Sequence, residues 1–446
     1  MRGKDNKILK IIFNFLRSFY NFVLYFKYHY IMKLLIKNIK ELIQVETQAK
    51  KKVSGKDMAK LNTIKNAYLF IEKGLITEFG EMDNFKKDSS ELSNTKTIDA
   101  SGKMVFPAWC DSHTHIVYPG SREIEYIDKI KGLSYEEIAK RGGGILNSAK
   151  KLHDTSEKKL TKQALQRIDE MISYGTGAIE IKSGYGLNTE DEIKMLKVIR
   201  ELKSLTPATI KSTFLGAHAV PKEYKGNQGA YVDVIVDEML PIIAKENLAD
   251  YVDVFCDRGF FTVEETDKIL NAAAKYGIRP KIHANELDYS GGIQIGVKHN
   301  AISVDHLEYT GDDEIKALLD SETMPTILPG AAFFLNMIWA PARKMIDAGL
   351  PIAMASDFNP GSSPSGNMQF ILSLACIEYK LTPEEAINAT TINGAYAMEL
   401  SDKLGSIAVG KKANIFITKE IPSYAYMPYS YGNNKVEITI INGKII

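Results

Sequence analysis

Between Met104 and about Leu400 the chain alternates apolar, strand-like runs with segments of helical periodicity, and it does so eight times. The runs are 104–115, 177–186, 209–220, 251–260, 279–287, 301–307, 324–335 and 351–361, with helical patterns such as 191–203, 232–245, 263–276 and 341–348 between them. Alternation carried that far is the pattern of an α/β protein built as a (β/α)8 TIM-type barrel, and a doubly wound open sheet is the structural alternative. The placement of polar residues favours the barrel, because such barrels build their sites at the C-terminal ends of the strands.

Those ends are where histidine collects. The first run ends in Asp111-Ser112-His113-Thr114-His115. Side chains alternate across a strand, so two histidines two residues apart face the same way and can share one cation. His218 belongs to the third run, His283 to the fifth with Glu286 three residues on, His306 to the sixth and Asp357 to the eighth. Five of the eight histidines sit at such ends; His29, His153 and His299 do not. Taken singly, each is a hydrogen-bonded structural residue and Asp357 a helix cap. Taken together, imidazoles with a carboxylate make a site suited to zinc or divalent iron, with room left for water. The run Gly142-Gly143-Gly144 is followed by no Gly-Lys-Ser/Thr and reads as a flexible loop rather than a phosphate cradle.

The flanks have a different character. Residues 32–103 read as short strands (34–39, 67–78 and 97–100) around a lysine-rich solvated loop at 50–65, and residues 401–446 repeat the pattern with strands at 413–417 and 436–441 before the turn Asn442-Gly443. Neither end has enough strands to be stable alone, so the two are expected to pair into one small β domain, a sandwich beside the barrel of 104–400. Residues 1–31 are rich in Phe, Tyr and Lys, with an uncharged run (18–26) too short to span a bilayer and no small-residue cleavage site after it. They are expected to be an extension outside the fold, which opens at Met32 as an edge strand. A net charge of +1 argues against nucleic acid as a partner, and three distant cysteines point to a reducing compartment, the cytoplasm.

Six stretches carry a resemblance to the amidohydrolase superfamily and, within it, to the imidazolonepropionase family, running from about Met32 to the C-terminus. They are Asp111 to His115, Ile181-Lys182-Ser183-Gly184-Tyr185-Gly186-Leu187, Phe214 to Pro221, Val252-Asp253-Val254-Phe255-Cys256, Val304-Asp305-His306-Leu307 and Ser356-Asp357-Phe358-Asn359-Pro360-Gly361-Ser362. The resemblance implies a hydrolase of histidine breakdown that opens a cyclic amide with a metal-activated water. It implies His113, His115, His283 and Asp357 as metal ligands, and Glu286, His306 and Asp357 as the catalytic acid and base groups. Arg122 would bind the propionate of the substrate, since its planar fork suits a carboxylate. Tyr185, His218, Glu286, Asn359, Gly361 and Ser362 match the remaining substrate contacts. Two-metal members of the superfamily carry a lysine on the fourth strand; residues 251–260 contain none, which favours a single ion, zinc or iron. A homodimer and a small-molecule substrate, with no membrane partner, complete the expectation. The competing readings are a purine or pyrimidine aminohydrolase with nearly the same ligands, and a non-catalytic scaffold, which would be expected to have lost ligands.

Overall fold

The computed structural model describes residues 33–133, 137 and 143–446. The expectations for residues 1–31 and for Gly142 fall outside them. Among the described residues, no helix is long and apolar enough to cross a membrane.

Eight parallel strands form one sheet: β6 (Trp109–Asp111), β7 (Thr176–Lys182), β8 (Thr209–Ala217), β9 (Tyr251–Cys256), β10 (Arg279–Ala284), β11 (Ser303–His306), β12 (Met324–Ile327) and β13 (Ala353–Met354), paired in that order. Each lies within, or one residue outside, one of the eight apolar runs. The seam between β13 and β6 closes just beyond the strands, through a parallel bridge between Thr114 and Phe358. Two backbone bonds flank it: Asp357 N donates to His113 O (3.0 Å) and His115 N to Phe358 O (2.9 Å). This is the barrel the alternation implied, and its helices include Glu157–Ser173, Thr189–Leu205 and Val263–Ala274, whose apolar stripes pack on the strands in one continuous core.

The chain's two ends join as expected in a second, mixed sheet. It comprises β1 (Lys33–Ile43), β2 (Thr63–Glu72), β3 (Leu75–Glu81), β4 (Thr95–Asp99), β5 (Met104–Pro107), β14 (Ile415–Thr418), β15 (Val436–Ile441) and β16 (Lys444–Ile445). Long β1 shifts register between Ile36 and Ile39; its first half pairs with β4 and its second with β5, so one hydrogen-bonded sheet turns around a core of its own.

Four local readings need correction. The opening strand is not an edge: β1 pairs with β2 along one side and with β4 and β5 along the other, inside the mixed sheet. The run 104–115 is two strands: Met104–Pro107 pairs with β1 and β14 in the mixed sheet, and only Trp109–Asp111 enters the barrel. The backbone changes sheets at Ala108, whose N donates to Asn414 O while Trp109 N donates to Gly175 O. The run 67–78 is a hairpin that turns at Lys73-Gly74, both at positive φ, the geometry a two-residue turn requires. The lysine-rich loop is not simply solvated: Met58 is fully buried, and Asn388 and Asn393 donate to the carbonyls of Met58 and Val53.

Candidate active site

The stretch Asp111 to His115 begins at the end of β6 and is built by the seam. Asp111, the last residue of β6, accepts from Ser356 N (2.9 Å) and Ser356 Oγ (2.5 Å), locking the His113 and Asp357 segments together. Burial pushes the Asp111 carboxyl up to about 7, against those bonds. Past this clamp the chain places His113 Nε2 3.3 Å from His115 Nε2, with Asp357 Oδ1 3.6 and 3.5 Å from the two nitrogens. Bonds of about 2.0–2.1 Å to a tetrahedral zinc would separate ligand atoms by roughly 3.4 Å, so the three donors already stand at ligand spacing. His113, His283 and His306 form a second group whose ligand atoms lie within 4.8 Å of one another, sharing His113 with the first.

Charge state and tautomer suit the same role. Burial is the first cause holding His113, His115 and His306 well below the usual histidine range, so these imidazoles are neutral. His113 Nδ1 sits 2.6 Å from Asp305 Oδ2, and His283 Nδ1 2.9 Å from Asp253 Oδ2. A carboxylate on Nδ1 leaves the lone pair on Nε2. His115 Nε2 stands 3.3 Å from the His113 Nε2 lone pair, close enough for the two rings to share one cation. The donor set therefore fits a divalent metal on chemistry and spacing. Backbone strain collects here too: Asp357 (φ 51°), His306 (φ 89°) and Leu307 (φ 74°) are non-glycine residues at positive φ.

A cavity of about 770 Å³ opens above the cluster. His115, His283, Asp357, His306, Glu286, Arg122, Tyr185, His218, Asn359, Gly361 and Ser362 all line it; of the expected site residues only His113 lies behind its wall. His218 Nδ1 donates to Gly184 O (2.8 Å). Burial, then the neighbouring His283, pushes its pKa down to about 3, so its Nε2 is an acceptor at neutral pH. Burial, then Asp357 and Asp257, pushes Glu286 up to about 8, and its Oε2 lies 3.7 Å from His306 Nε2. Asp257 holds the Glu286 backbone in place, accepting from its N at 2.7 Å.

The geometry refines two expected contacts. Asn359 spends its whole amide on its own turn: Oδ1 accepts from Gly361 N (2.7 Å) and Ser362 N (2.8 Å), and Nδ2 donates to Asp357 O (2.7 Å) and Ser362 Oγ (2.6 Å). Gly361 faces a side chain rather than lending its backbone, since a Cβ there would stand 2.7 Å from Arg122 Cζ and closer still to Nη1. Arg122 is oriented by Glu125, which accepts from its Nε (2.8 Å) and lies 2.7 Å from its Nη2.

Sequence reasoning passed over the buried carboxylates that set these positions: Asp111, Glu125, Asp253, Asp257, Asp305 and, above all, Glu192. The Glu192 carboxylate accepts from Gly184 N, Gly186 N (2.6 Å) and Leu187 N (3.1 Å), fixing the loop that carries Tyr185 and the Gly184 carbonyl on which His218 rests. Acids in or beside apolar strands were the available signal, since an acid there is expensive to bury without a partner.

Residues 104–446 match the profile of the amidohydrolase family. The imidazolonepropionase of Christiangramia forsetii is 55% identical over 415 residues, covering 93% of this chain and 100% of the relative. That of Flavobacterium johnsoniae is 57% identical over the same shares. Among solved structures, the zinc-complexed atrazine chlorohydrolase of Arthrobacter aurescens superposes with a TM-score of 0.69 at 16% identity, covering 92% of this chain and 94% of that one, a likeness of fold.

Proposed function

The chain belongs to the amidohydrolase family and, within it, to the imidazolonepropionases, and we propose that it hydrolyses 4-imidazolone-5-propanoate to N-formimidoyl-L-glutamate at the cavity above His113. The observation that carries this reading is the convergence of His113, His115 and Asp357 donors, 3.3 to 3.6 Å apart, beside a cavity lined by a buttressed arginine. His113, His115, His283 and Asp357 would hold one divalent ion, zinc or iron, a choice this donor set leaves to metal supply. When bound, such an ion supplies Lewis acidity, polarising a carbonyl and lowering the pKa of a water to about 7.

The chain's own residues do the rest. Arg122, its fork held by Glu125, pairs with the propionate and fixes one end of the substrate. His218 Nε2, a lone pair by virtue of the Gly184 carbonyl, accepts from a ring N–H, and Tyr185 closes the same wall. Asn359 acts through the turn it staples, presenting Ser362 and leaving the Gly361 side open to the guanidinium. Water adds its hydroxyl to the ring carbonyl carbon, and the proton it releases passes to Asp357 or His306. As the ring C–N bond opens, the nitrogen takes a proton from Glu286, which burial keeps protonated. Phe255 and Phe260, stacked at 3.9 Å, give this cavity an apolar wall.

The three cysteines stand free, as suits a cytoplasmic enzyme, and a homodimer is the assembly that the family resemblance suggests. Consumption of imidazolonepropionate, followed in purified protein with and without chelator and again after zinc or iron is restored, tests the reading. Turnover that disappears with the metal and returns with it supports the proposal. A metal-loaded protein that leaves this substrate intact but deaminates a purine or pyrimidine would replace it with the aminohydrolase alternative.

A further inference from the structure

Below the ligand histidines, five charged side chains are sealed inside the barrel: Glu180 and Lys182 of β7, Asp253 of β9, Lys281 of β10 and Asp305 of β11, each at 0% side-chain exposure. None of them lines the cavity. Barrel interiors are ordinarily filled by layers of branched apolar residues, and burying five charges where such a layer would serve is costly. Their contacts show what the arrangement does. Lys182 Nζ lies 2.7 Å from Glu180 Oε1, 2.8 Å from Asp253 Oδ2 and 3.8 Å from Asp305 Oδ2. Lys281 Nζ bonds Glu180 and the Ser112 carbonyl (2.7 Å) and stands 3.9 Å from Asp305 Oδ2. Asp305 Oδ2 and Asp253 Oδ2 are the same atoms that face Nδ1 of His113 and of His283.

Of the two cations, Lys182 reaches both orienting carboxylates. Without it the two carboxylates would lose the one ammonium they share, leaving Asp253 Oδ1 on His283 N (3.1 Å) and Asp305 Oδ1 on Ser303 Oγ (2.5 Å) to hold them.

We propose that Lys182 is a positioning residue for the metal centre: with Lys281 and Glu180 it forms a buried platform that holds Asp253 and Asp305 in place, so that His283 and His113 present Nε2 to the ion. The proposal rests on the reading that these two histidines are ligands, and it adds a residue that touches neither the ion nor the substrate.

Zinc affinity of the purified full chain, measured by competition with a chromogenic chelator together with the rate of zinc loss, tests it. Lys182→Met keeps the length of the stem and removes the charge. It should weaken zinc binding about 10- to 100-fold, the range for loss of groups that orient ligands. Lys411→Met is the control, because Lys411 is also buried, at 1% exposure and 3.9 Å from Glu46, but sits away from the histidines. It should lose thermal stability and keep the parental zinc affinity. A folded Lys182→Met protein with parental affinity, or an equal loss of affinity in Lys411→Met, overturns the proposal. Should Lys182→Met not fold, the isosteric Asp253→Asn decides: faster zinc loss supports the platform, and an unchanged rate overturns it. His283→Ala separates the two levels of argument. Parental zinc affinity in that variant would remove the ligand reading itself, whereas loss there with no change in Lys182→Met removes only the platform.

Discussion

A methyl group at Gly361 should disable the enzyme without touching metal, fold or backbone. Gly361 is not among the residues at positive φ, so alanine there carries no conformational strain. The new Cβ would meet Arg122 Cζ at 2.7 Å, whereas ordinary contact begins near 3.4 Å. The guanidinium must therefore retreat by about 0.7 Å at Cζ and further at Nη1, breaking its alignment on Glu125. An exposed arginine would swing aside at little cost, and this one is also free to leave, but only by giving up its place in the cavity wall. Misplacement on the order of 1 Å costs roughly 100-fold where a substrate must be held for attack. Removing the arginine altogether, in Arg122→Ala, should cost about 2 to 5 kcal/mol in kcat/KM, the loss for truncating one partner of a buried charge pair. The double variant provides the decisive comparison. If Gly361 acts through Arg122, Arg122→Ala/Gly361→Ala should be no worse than Arg122→Ala, because the methyl group then has nothing to displace. Steady-state kinetics on imidazolonepropionate, with metal content measured alongside, reads all three proteins. Parental kcat/KM in Gly361→Ala, or losses that multiply in the double variant, would refute the placement of the arginine against the substrate carboxylate.

Other expectations follow from the same geometry. Glu286 is assigned as the proton donor, so activity should fall as pH rises through its pKa; burial sets that near 8, and a cation beside Asp357 draws it lower, placing the alkaline limb at or below pH 8. Glu286→Gln should be slow and lack that limb; a pH profile unchanged by the substitution would reassign the donor. Glu192→Gln replaces one oxygen that faces loop N–H groups with a donor, which should cost about 1 to 3 kcal/mol of stability in thermal or urea unfolding and raise KM as Tyr185 and His218 lose their support. A chain beginning at Met32 should express and turn over substrate like the full-length chain, and a failure to fold would give residues 1–31 a structural role.

What the sequence made legible follows the physics of each feature. Strand runs were readable because short apolar stretches such as Ala178-Ile179, Phe214-Leu215 and Val252 with Val254 recur between helical segments, although β7, β9, β10 and β11 also carry buried charges that a continuous apolar block would lack. The crossing at Ala108 was not, because Met104–Pro107 is as apolar as Trp109–Asp111 and only tertiary pairing assigns the two pieces to different sheets. Side chains that converge on the cavity were visible as histidines and an aspartate at strand ends. Saturation of Asn359 and the steric role of Gly361 were not, since both depend on the path of one turn relative to Arg122. Three of the buried acids, Asp111, Asp253 and Asp305, stood in the very stretches that carried the family resemblance, but an isolated acid in a strand does not say which base it meets.

Closure of the barrel and assembly of the site are one structural event. The last join in the parallel sheet is not made by strand residues: it runs through Thr114 and Phe358, between two metal-ligand candidates on one side and a third on the other. Asp111 and Ser356 seal it with two hydrogen bonds, and the donors of His113, His115 and Asp357 come to ligand spacing because their backbones are bonded to one another. Asp357 pays for this with a left-handed backbone, which an aspartate adopts more readily than most residues. A barrel open at this seam would hold the same histidines on the same strands, yet Asp357 would lie out of reach of both. Tyr185 and His218 obey the opposite logic, held by local contacts from Glu192 and Gly184 that need no seam, whereas Arg122 meets both Glu125 of its own segment and Gly361 in the turn that follows the seam. Recognition at Tyr185 and His218 can therefore vary with its own loop, while the candidate ligand set and the seat of Arg122 are bound to the way the barrel closes.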